Sequence, residues 1–338
     1  MGGNAVGQPH RLRFLEYGLT ILIVITLNFL LPRVIPGDPF LVISSQSAAE
    51  EEIVLTAEQR EFFFDYYGLD KSIGEQYVAY LGGLLRGNLG FSLYYKEPVS
   101  RIIMRRLGWT AFMVVSSLVL STIIGSVLGC ISAWHRDKWP DKFLFFKFIV
   151  LAEIPVFLLG LIILFVFAAG LGLFPLAGAV THFARYKNCW EKIFDVLHHA
   201  CLPVLVLTIS RMGGMYLLSR NSMTTVLKKD YLRTARAKGL PERRVLYRHA
   251  LRNALLPIVT RVFLSLGTLI GGAILVENVF AYPGLGLLMR EAVRLHDYHL
   301  IQGIFLVVTL LVLLANFFAD LVYAKLDPRV NQTNMQGG

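Results

Sequence analysis

Charged residues are scarce in this sequence. They make up 17% of its 338 residues, whereas soluble globular proteins carry about a quarter. Hydrophobic residues make up 55%, the mean hydropathy is +0.57, and the apolar residues occur in blocks long enough to cross a bilayer. This composition excludes an ordinary soluble domain and predicts a protein that crosses the membrane several times.

Common nucleotide-binding and catalytic motifs are also missing. No glycine-rich stretch ends in Gly-Lys-Ser or Gly-Lys-Thr, and neither HExxH nor GxSxG occurs. We therefore predict that the chain is not an enzyme, has no catalytic residues and binds no cofactor of its own. Because it cannot hydrolyse ATP, any pumping must use ATP and Mg bound to partner subunits.

The sequence contains three cysteines, and none has the spacing of a metal site. Cys130 falls inside an apolar run, while Cys189 and Cys201 flank a predicted outer loop. Whether these two form a disulfide in an oxidising compartment stays open at this point. His198 and His199 have no matching carboxylate cluster, so we predict no metal site.

Six apolar segments predict an all-α fold with six transmembrane helices, at about 14–35, 109–134, 143–173, 202–219, 254–276 and 301–323. The segment 220–253 carries ten basic and two acidic residues. Such an excess of Lys and Arg marks the cytoplasmic side. It predicts that both termini are cytoplasmic and relates the net charge of +10 to membrane orientation rather than to nucleic acid.

The polar segments define the predicted domain organisation. Residues 1–35 comprise the N-terminus and first span, and the acid-rich residues 36–108 form a small extracytoplasmic subdomain. A five-helix core follows at 109–324 and contains the cytoplasmic segment 230–257. Residues 325–338 are a cytoplasmic tail.

The segment 230–257 has the pattern of two helices joined by a turn. Good helix formers run from Tyr231 to Lys238, Gly239 is placed to end that helix, and Pro241 is placed to start another. We predict a rigid lever lying parallel to the membrane and continuing into the fifth span. A basic segment resting on anionic lipid is the alternative interpretation.

Several short stretches together resemble the dipeptide, oligopeptide and nickel permease family of ABC importers. The chain contains them in family order: Ile35-Pro36-Gly37-Asp38-Pro39, Tyr67-Gly68-Leu69-Asp70-Lys71, Gly87-Asn88-Leu89-Gly90, Asp230-Tyr231 through Pro257, Val276-Glu277-Asn278-Val279-Phe280, Tyr282-Pro283-Gly284-Leu285-Gly286 and Leu326-Asp327-Pro328-Arg329. One departure is Arg233-Thr234-Ala235, where the general coupling loop has Glu-Ala-Ala.

The resemblance implies a type I ABC importer permease that forms half of a translocation path in a bacterial or archaeal cytoplasmic membrane. It implies a homologous second permease subunit, two ATPase subunits and an extracytoplasmic substrate-binding protein as partners. Peptides are the implied cargo, and nickel or a metal chelate is the alternative. A stand-alone secondary transporter is a different possibility, but such proteins often contain internal repeats, and none is found here. The residues expected to contact the ATPase are Tyr231, Arg233, Thr234, Ala235, Lys238, Gly239, Leu240 and Pro241.

A few polar residues lie inside or at the ends of the predicted spans. Glu153 and Arg211 fall near mid-bilayer, where an isolated charge is costly, so we predict that they pair across spans three and four. The pair either fixes packing or lines the path. Asn316 is expected to make an interhelical hydrogen bond or to line the path. Glu277 and Tyr282 are candidates for an outer gate, and solvent exposure is the alternative for Glu277.

Glycines recur at helix-contact spacing in two predicted spans. Gly125 and Gly129 in the second span predict close approach of another helix, as do Gly267, Gly271 and Gly272 in the fifth span. Packing is favoured over pore lining for the second group.

Overall fold

The structure, a computed structural model, describes residues 10–34, 71–92 and 94–326, and most of these residues are helical. The acidic residues of 50–70, the motif at 35–39 and the motif after Leu326 lie outside the described residues. The α-helices are α1 His10–Val34, α2 Ile73–Leu85, α3 Val99–Trp134, α4 Trp139–Glu153, α5 Val156–Ile163, α6 Cys189–Leu227, α7 Asp230–Ala237, α8 Glu242–Arg244, α9 Arg252–Ala254, α10 Leu256–Val279, α11 Leu285–Arg294 and α12 Tyr298–Leu326. Two π-helices, Leu164–Gly170 and Val245–Leu251, continue α5 and α8. An antiparallel pair, β1 Phe91–Ser92 and β2 Glu97–Pro98, precedes α3.

Three described helices are long and apolar enough to cross a membrane: Val99–Trp134, Cys189–Leu227 and Tyr298–Ala319. Two bent helix pairs, Trp139–Glu153 with Val156–Gly170 and Glu242–Ser265 with Gly267–Val279, raise the number to five if each pair is one span. Within α1, the shorter apolar helix Gly18–Leu30 falls below the length of those spans. The membrane character and helical class predicted from the sequence are therefore confirmed.

The third predicted span is not one straight helix. It divides at Ile154 and Pro155, where α4 and the following helical segment meet at 101°. Proline has no N–H to donate and disfavours helical backbone at the residue before it, and Ile154 has extended angles. Glu153 therefore lies at the end of a helix, next to the bend.

Helices also form in two segments between predicted spans, 174–200 and 279–300. In the segment 174–200, α6 already begins at Cys189, where the Asn188 side chain accepts a hydrogen bond from the Glu191 N–H at 3.0 Å. In the segment 279–300, α11 presents a buried face that includes Leu285 and Leu288. Hydropathy alone does not detect α11, because this short helix is amphipathic and its mean hydropathy is low.

The chain divides into two compact units. Among the described residues, the large unit comprises Trp109–Pro283 and 312–326, and the small unit comprises 10–34, 71–92, 94–108 and Gly284–Leu311. The core of the large unit is built from buried aliphatic residues of α3, α5, α6 and α10, among them Met113, Leu159, Val206, Leu207 and Leu269.

Glycines bring α3 and α6 together inside the large unit, as predicted from their spacing. A Cβ on Gly125 would lie 2.8 Å from the Met215 Cβ, and one on Gly129 would lie 2.6 Å from the Tyr216 carbonyl oxygen. No larger residue fits at either position without moving the helices apart, so this prediction is confirmed.

The small unit packs β1, β2, the start of α3, α11 and the start of α12 around Val99, Ile102, Leu288 and Ile301. The buried Asp297 carboxylate accepts hydrogen bonds from the Ser92 hydroxyl and, at 3.1 Å, from the Leu300 N–H. Burial raises the pKa of Asp297 above its usual range.

Other polar contacts connect the remaining elements of the small unit. The Tyr95 hydroxyl donates to Glu291 at 2.7 Å, and the Asn28 amide on α1 donates to the Gln302 carbonyl at 2.7 Å. Each joins segments distant in sequence and satisfies a polar group that would otherwise be costly to bury.

Candidate functional site

The helix α7 forms where the basic segment has an apolar face. Leu232 and Ala235, three residues apart, are buried, whereas Tyr231 and Arg233 are exposed. Asp230 lies in the first turn, where a negative charge interacts favourably with the helix dipole. The predicted helix 231–238 is confirmed to within one residue at each end.

A glycine turn ends α7. Gly239 has φ +73°, a conformation that favours glycine. The Gly239 N–H donates to the Arg236 carbonyl at 2.9 Å, and the Leu240 N–H donates to the Ala235 carbonyl at 3.4 Å. This pair of bonds is a Schellman motif, which satisfies carbonyl groups left free at the helix end.

Beyond the turn the chain resumes a helical course, as predicted. Pro241 precedes α8, and the π-helix Val245–Leu251 leads through α9 into α10. The Arg236 guanidinium donates to Glu242 at 2.9 Å and 3.2 Å, which connects α7 to α8 across the turn. We call residues 230–254 the inner segment.

Within the large unit, a separate apolar cluster holds the inner segment against the ends of α3 and α6. The cluster contains buried residues from the end of α3, the end of α6 and the inner segment itself: Ala133, Met223, Leu232, Ala235, Val245, Ala250 and Ala254. Leu240 packs against it at the turn. The inner segment is therefore fixed to the ends of two long apolar helices, and displacement of α7 must strain this packing.

The residues predicted to contact an ATPase divide between two faces. Tyr231, Arg233, Thr234, Lys238 and Gly239 are exposed. Ala235 packs inward and Leu240 is half-buried, so these two support the surface and do not form it. The Asn253 side chain donates to the Tyr231 hydroxyl at 2.9 Å, which orients that ring on the exposed face.

An ion pair that the sequence analysis missed connects the helices close to this anchor. The Arg220 guanidinium on α6 donates from Nε and Nη2 to the two oxygens of Asp141 on α4, each at 2.7 Å. The Asp141 carboxylate also accepts from the Ser132 hydroxyl at the end of α3, and Ser132 shares a 2.6 Å hydrogen bond with Tyr216. Asp141 falls between the second and third predicted spans, and its partner is not readable from the sequence.

The predicted pairing of Glu153 with Arg211 is wrong. Arg211 donates to the Thr268 carbonyl at 2.6 Å and to the Thr268 hydroxyl at 3.2 Å. Glu153 is exposed at the end of α4, and no ion pair joins it to Arg211 among the residues that the structure describes. The break at Pro155 is the physical reason, because the prediction assumed a continuous third span.

Asn316 and the fifth-span glycines lie at a helix contact. A Cβ on Gly267 would lie 3.2 Å from Val312 and 3.7 Å from the Asn316 side-chain oxygen. A Cβ on Gly272 would meet Arg211 and Leu207. Gly271 has nothing within 4 Å and is exposed, so packing accounts for two of the three glycines and not for the third.

Glu277 and Tyr282 lie together at the end of α10, and both side chains are fully buried. The Thr110 hydroxyl on α3 donates to Glu277 at 2.6 Å. The Tyr282 ring makes an edge-on contact with Trp109, with centroids 5.8 Å apart. Burial, followed by the charge of Glu277, raises the pKa of Tyr282. Solvent exposure of Glu277, one of the two sequence-based alternatives, is wrong.

Two cysteines and two histidines lie near the start of α6. Cys189 and Cys201 are free thiols on one helix, twelve residues and roughly 18 Å apart along its axis, so they do not pair within the chain. His198 contacts the Leu173 carbonyl at 2.9 Å, and His199 contacts Asp195. Over the described parts of the chain, no group of three or more metal-binding side chains is present.

Residues 125–332 match the family model described as the binding-protein-dependent transport system inner membrane component. The match spans more than half of the chain and includes the inner segment, α4 to α12 and most of the large unit.

Full-length relatives agree with this match. A Brucella ovis protein named as a peptide permease is 38% identical over 94% of this chain and 97% of its own length. The oligopeptide transport system permease protein AppB of Bacillus subtilis is 37% identical, covering 92% of this chain and 96% of that protein. The glutathione transport system permease protein GsiC of Salmonella typhimurium is 34% identical, covering 92% and 94%.

Proposed function

The chain belongs to the family of inner membrane components of binding-protein-dependent transport systems, and from this premise we propose that it is the peptide-transporting permease half of an ATP-driven importer. Relatives named for peptide, oligopeptide and glutathione transport, each similar over nearly the whole chain, support peptides as the cargo. We propose that the six spans and the extracytoplasmic subdomain at 36–108 expected from the sequence complete the fold, with both termini cytoplasmic.

The main support for this proposal is the arrangement of exposed and buried residues in the inner segment. It presents Tyr231, Arg233 and Thr234 on an exposed helix face, while Leu232 and Ala235 hold the opposite face on the ends of α3 and α6. When a soluble subunit bound to such a surface helix moves, the helix can transmit the displacement to the spans as a rigid-body movement. We propose that an ATPase subunit docks on this exposed face.

ATP and Mg belong to the proposed partners in this mechanism. Two ATPase subunits supply the free energy of hydrolysis, a homologous second permease subunit supplies the other half of the path, and an extracytoplasmic binding protein supplies the cargo. This chain contributes α7 as the docking surface and α10 as the moving element, because the inner segment continues directly into α10.

At the opposite end of α10, we propose that Glu277 and Tyr282 position the outer mouth of the path. Their burial against Thr110 and Trp109 favours a hinge or closing contact over a solvated surface. Asn316 on α12 and Arg211 on α6 are proposed to lie beside α10, Asn316 in a helix contact and Arg211 on the path.

The test is a mild-detergent pull-down of the whole complex from native membranes, combined with uptake of a labelled peptide. Recovery of an ATP-binding subunit and a second permease subunit with the wild-type chain is the expected result. Gly239→Asp is expected to release the ATPase subunits while retaining the second permease subunit. Gly74→Asp, on α2 with nothing within 4 Å, is the matched control and is expected to retain every partner.

The Gly239→Asp variant can act by straining the backbone at a positive φ or by disrupting the docking contact, and a second variant separates these two effects. Gly239→Asn is the conservative variant, because asparagine tolerates the left-handed conformation better than other residues. It is expected to restore docking. A chain that is recovered alone and still imports peptide after reconstitution overturns the proposal in favour of a secondary transporter, and import of nickel in place of peptide overturns the cargo assignment.

A further inference from the structure

One side of α10 is exposed along the length of the helix. Its exposed members recur every three or four residues, which places them in a single stripe. They are Pro257, Arg261, Leu264, Thr268, Gly271 and Leu275, and we call them the α10 stripe. All belong to the large unit.

The α10 stripe contains two polar residues among its six members. Arg261 and Thr268 are polar, and arginine is among the costliest residues to expose to hydrocarbon. An arginine within the proposed fifth span faces water or a protein partner. Across the described residues, Arg261 makes no ion pair with a carboxylate. The α10 stripe is therefore expected to face a polar environment.

A second cation reaches the same stripe from α6. The Arg211 guanidinium is held by the Thr268 carbonyl at 2.6 Å and by the Thr268 hydroxyl at 3.2 Å. Arg261 lies about two helical turns before Thr268, and both residues are exposed, with a 53° bend of the chain between Ser265 and Gly267. Within the described structure, neither Arg211 nor Arg261 has a carboxylate oxygen within 4.0 Å.

Space remains around these cations. A Cβ on Gly271, one turn after Thr268, would meet nothing within 4 Å, and the same holds for Gly214, three residues after Arg211. Both glycines are exposed. The two hydrogen bonds to Thr268 use two of the five N–H donors of Arg211, which leaves donors that an incoming anion can reach.

Resting on the proposed function, we propose that Arg211 and Arg261 form a cationic site on the translocation path that binds the carboxylate of the passing peptide. A guanidinium matches a carboxylate with two parallel hydrogen bonds, and it stays charged at every physiological pH. Thr268 holds the Arg211 guanidinium in position, whereas the exposed side chain of Arg261 can change conformation as the anion moves. A carboxylate is the one charged group that every linear peptide carries at its C-terminus.

The experiment measures the charge preference of the α10 stripe in the assembled complex. Gly271→Cys places a reporter thiol beside the cations, with Cys130, Cys189 and Cys201 replaced by serine. Its reaction rates with methanethiosulfonate reagents bearing a sulfonate or a trimethylammonium group are each normalised to a small free thiol. We expect the sulfonate reagent to react about tenfold faster, because a cationic cleft concentrates anions.

Substitution of the cations is expected to remove this preference. Arg211→Gln combined with Arg261→Gln should bring the two normalised rates together, whereas Arg261→Lys combined with native Arg211 should retain the preference for the anionic reagent. Lys142→Gln, which removes an exposed charge on α4, is the matched control and should leave the ratio unchanged. Equal rates in the native background, or a preference that survives the double variant, overturn the proposal.

The competing occupant is a carboxylate of the second permease subunit. In that case neither reagent reacts with the assembled complex, both react after dissociation in detergent, and Arg261→Gln releases the second subunit from the pull-down. That outcome also overturns the proposal.

Peptide uptake separates this inference from the proposed function. With the complex intact, Arg261→Gln is expected to lower the uptake of a peptide with a free C-terminal carboxylate about tenfold, the same factor as the reagent preference. A wild-type complex that takes up no peptide but keeps the preference for the sulfonate reagent disproves the peptide cargo and leaves the cationic site standing. Peptide uptake that is unaffected by loss of both arginines disproves the carboxylate site and leaves the peptide cargo standing.

Discussion

Arg220 and Asp141 form a two-point ion pair between α6 and α4, with both N···O distances at 2.7 Å. Their side chains are 17% and 3% exposed, so the carboxylate has little contact with solvent. Ser132 adds a hydrogen bond from α3, and the Arg220 guanidinium lies 4.9 Å from the centroid of the Phe145 ring. Three helices therefore meet at one charged pair beside the anchor of the inner segment.

Removal of one member of this pair is expected to destabilise the protein. Asp141→Asn leaves the Arg220 charge without its partner and should lower the free energy of unfolding by about 3 kcal/mol, the usual cost of breaking a buried pair. The measurement is thermal unfolding of the purified chain in detergent. Asp230→Asn, at a carboxylate that is 93% exposed, is the control. A loss within the error of that control contradicts the prediction.

Substitution of Gly129 is expected to separate α3 from α6. Gly129→Ala places a Cβ 2.6 Å from the Tyr216 carbonyl oxygen and 2.7 Å from the Ser219 Cβ, and neither backbone can withdraw easily. Overpacking of this kind costs about 1–3 kcal/mol. We expect a lower unfolding temperature and a smaller folded fraction in size-exclusion chromatography. Gly108→Ala, which meets nothing within 4 Å, should behave as the wild type, and equal behaviour of the two variants would refute the close contact.

Truncation of Leu232 is expected to loosen α7 without removing any charged residue. Leu232 is fully buried in the apolar anchor, and a buried Leu→Ala change costs about 2–5 kcal/mol. Trypsin should then cleave after Arg233, Arg236 or Lys238 faster than in the wild type, since the backbone opens locally. The control is Leu255→Ala, at a side chain that is 36% exposed. Unchanged cleavage rates would show that α7 is held by other contacts.

The stability of the small unit is expected to depend on pH through Asp297. Burial raises its pKa, so the folded state binds the proton more tightly than the unfolded state does. The contribution to stability is therefore greatest below the unfolded pKa of about 3.9 and is lost as the pH rises through the higher folded pKa. In the Asp297→Asn variant, the amide side chain can still form hydrogen bonds with Ser92 and Leu300, but it has no carboxyl group that titrates.

The corresponding measurement is the unfolding midpoint of the purified chain as a function of pH. Between about pH 4 and pH 7, the difference in midpoint between Asp297→Asn and wild type should grow in favour of the variant as the pH rises. A difference that is constant over this range, or that shrinks with rising pH, shows that the Asp297 carboxyl is not perturbed in the predicted direction.

Local signals in the sequence predicted the inner segment accurately. The α7 helix, the glycine turn and the renewed helix after Pro241 each depend on neighbouring residues: helix formers, a residue that tolerates positive φ, and a proline suited to a helix start. The approach of α3 to α6 was also predictable, because two glycines one turn apart leave a groove in any helix that contains them.

The sequence by itself determined the class of protein, the presence of long apolar helices and the helix–turn–helix of the inner segment, since each follows from composition or from contacts within a few residues. Only the tertiary structure decided which charges meet. Arg211 binds Thr268 and not Glu153, and Asp141 binds Arg220 across 79 residues of chain. The bend at Pro155 and the register between packed helices set these partners, and both arise from contacts between segments that are distant in the sequence.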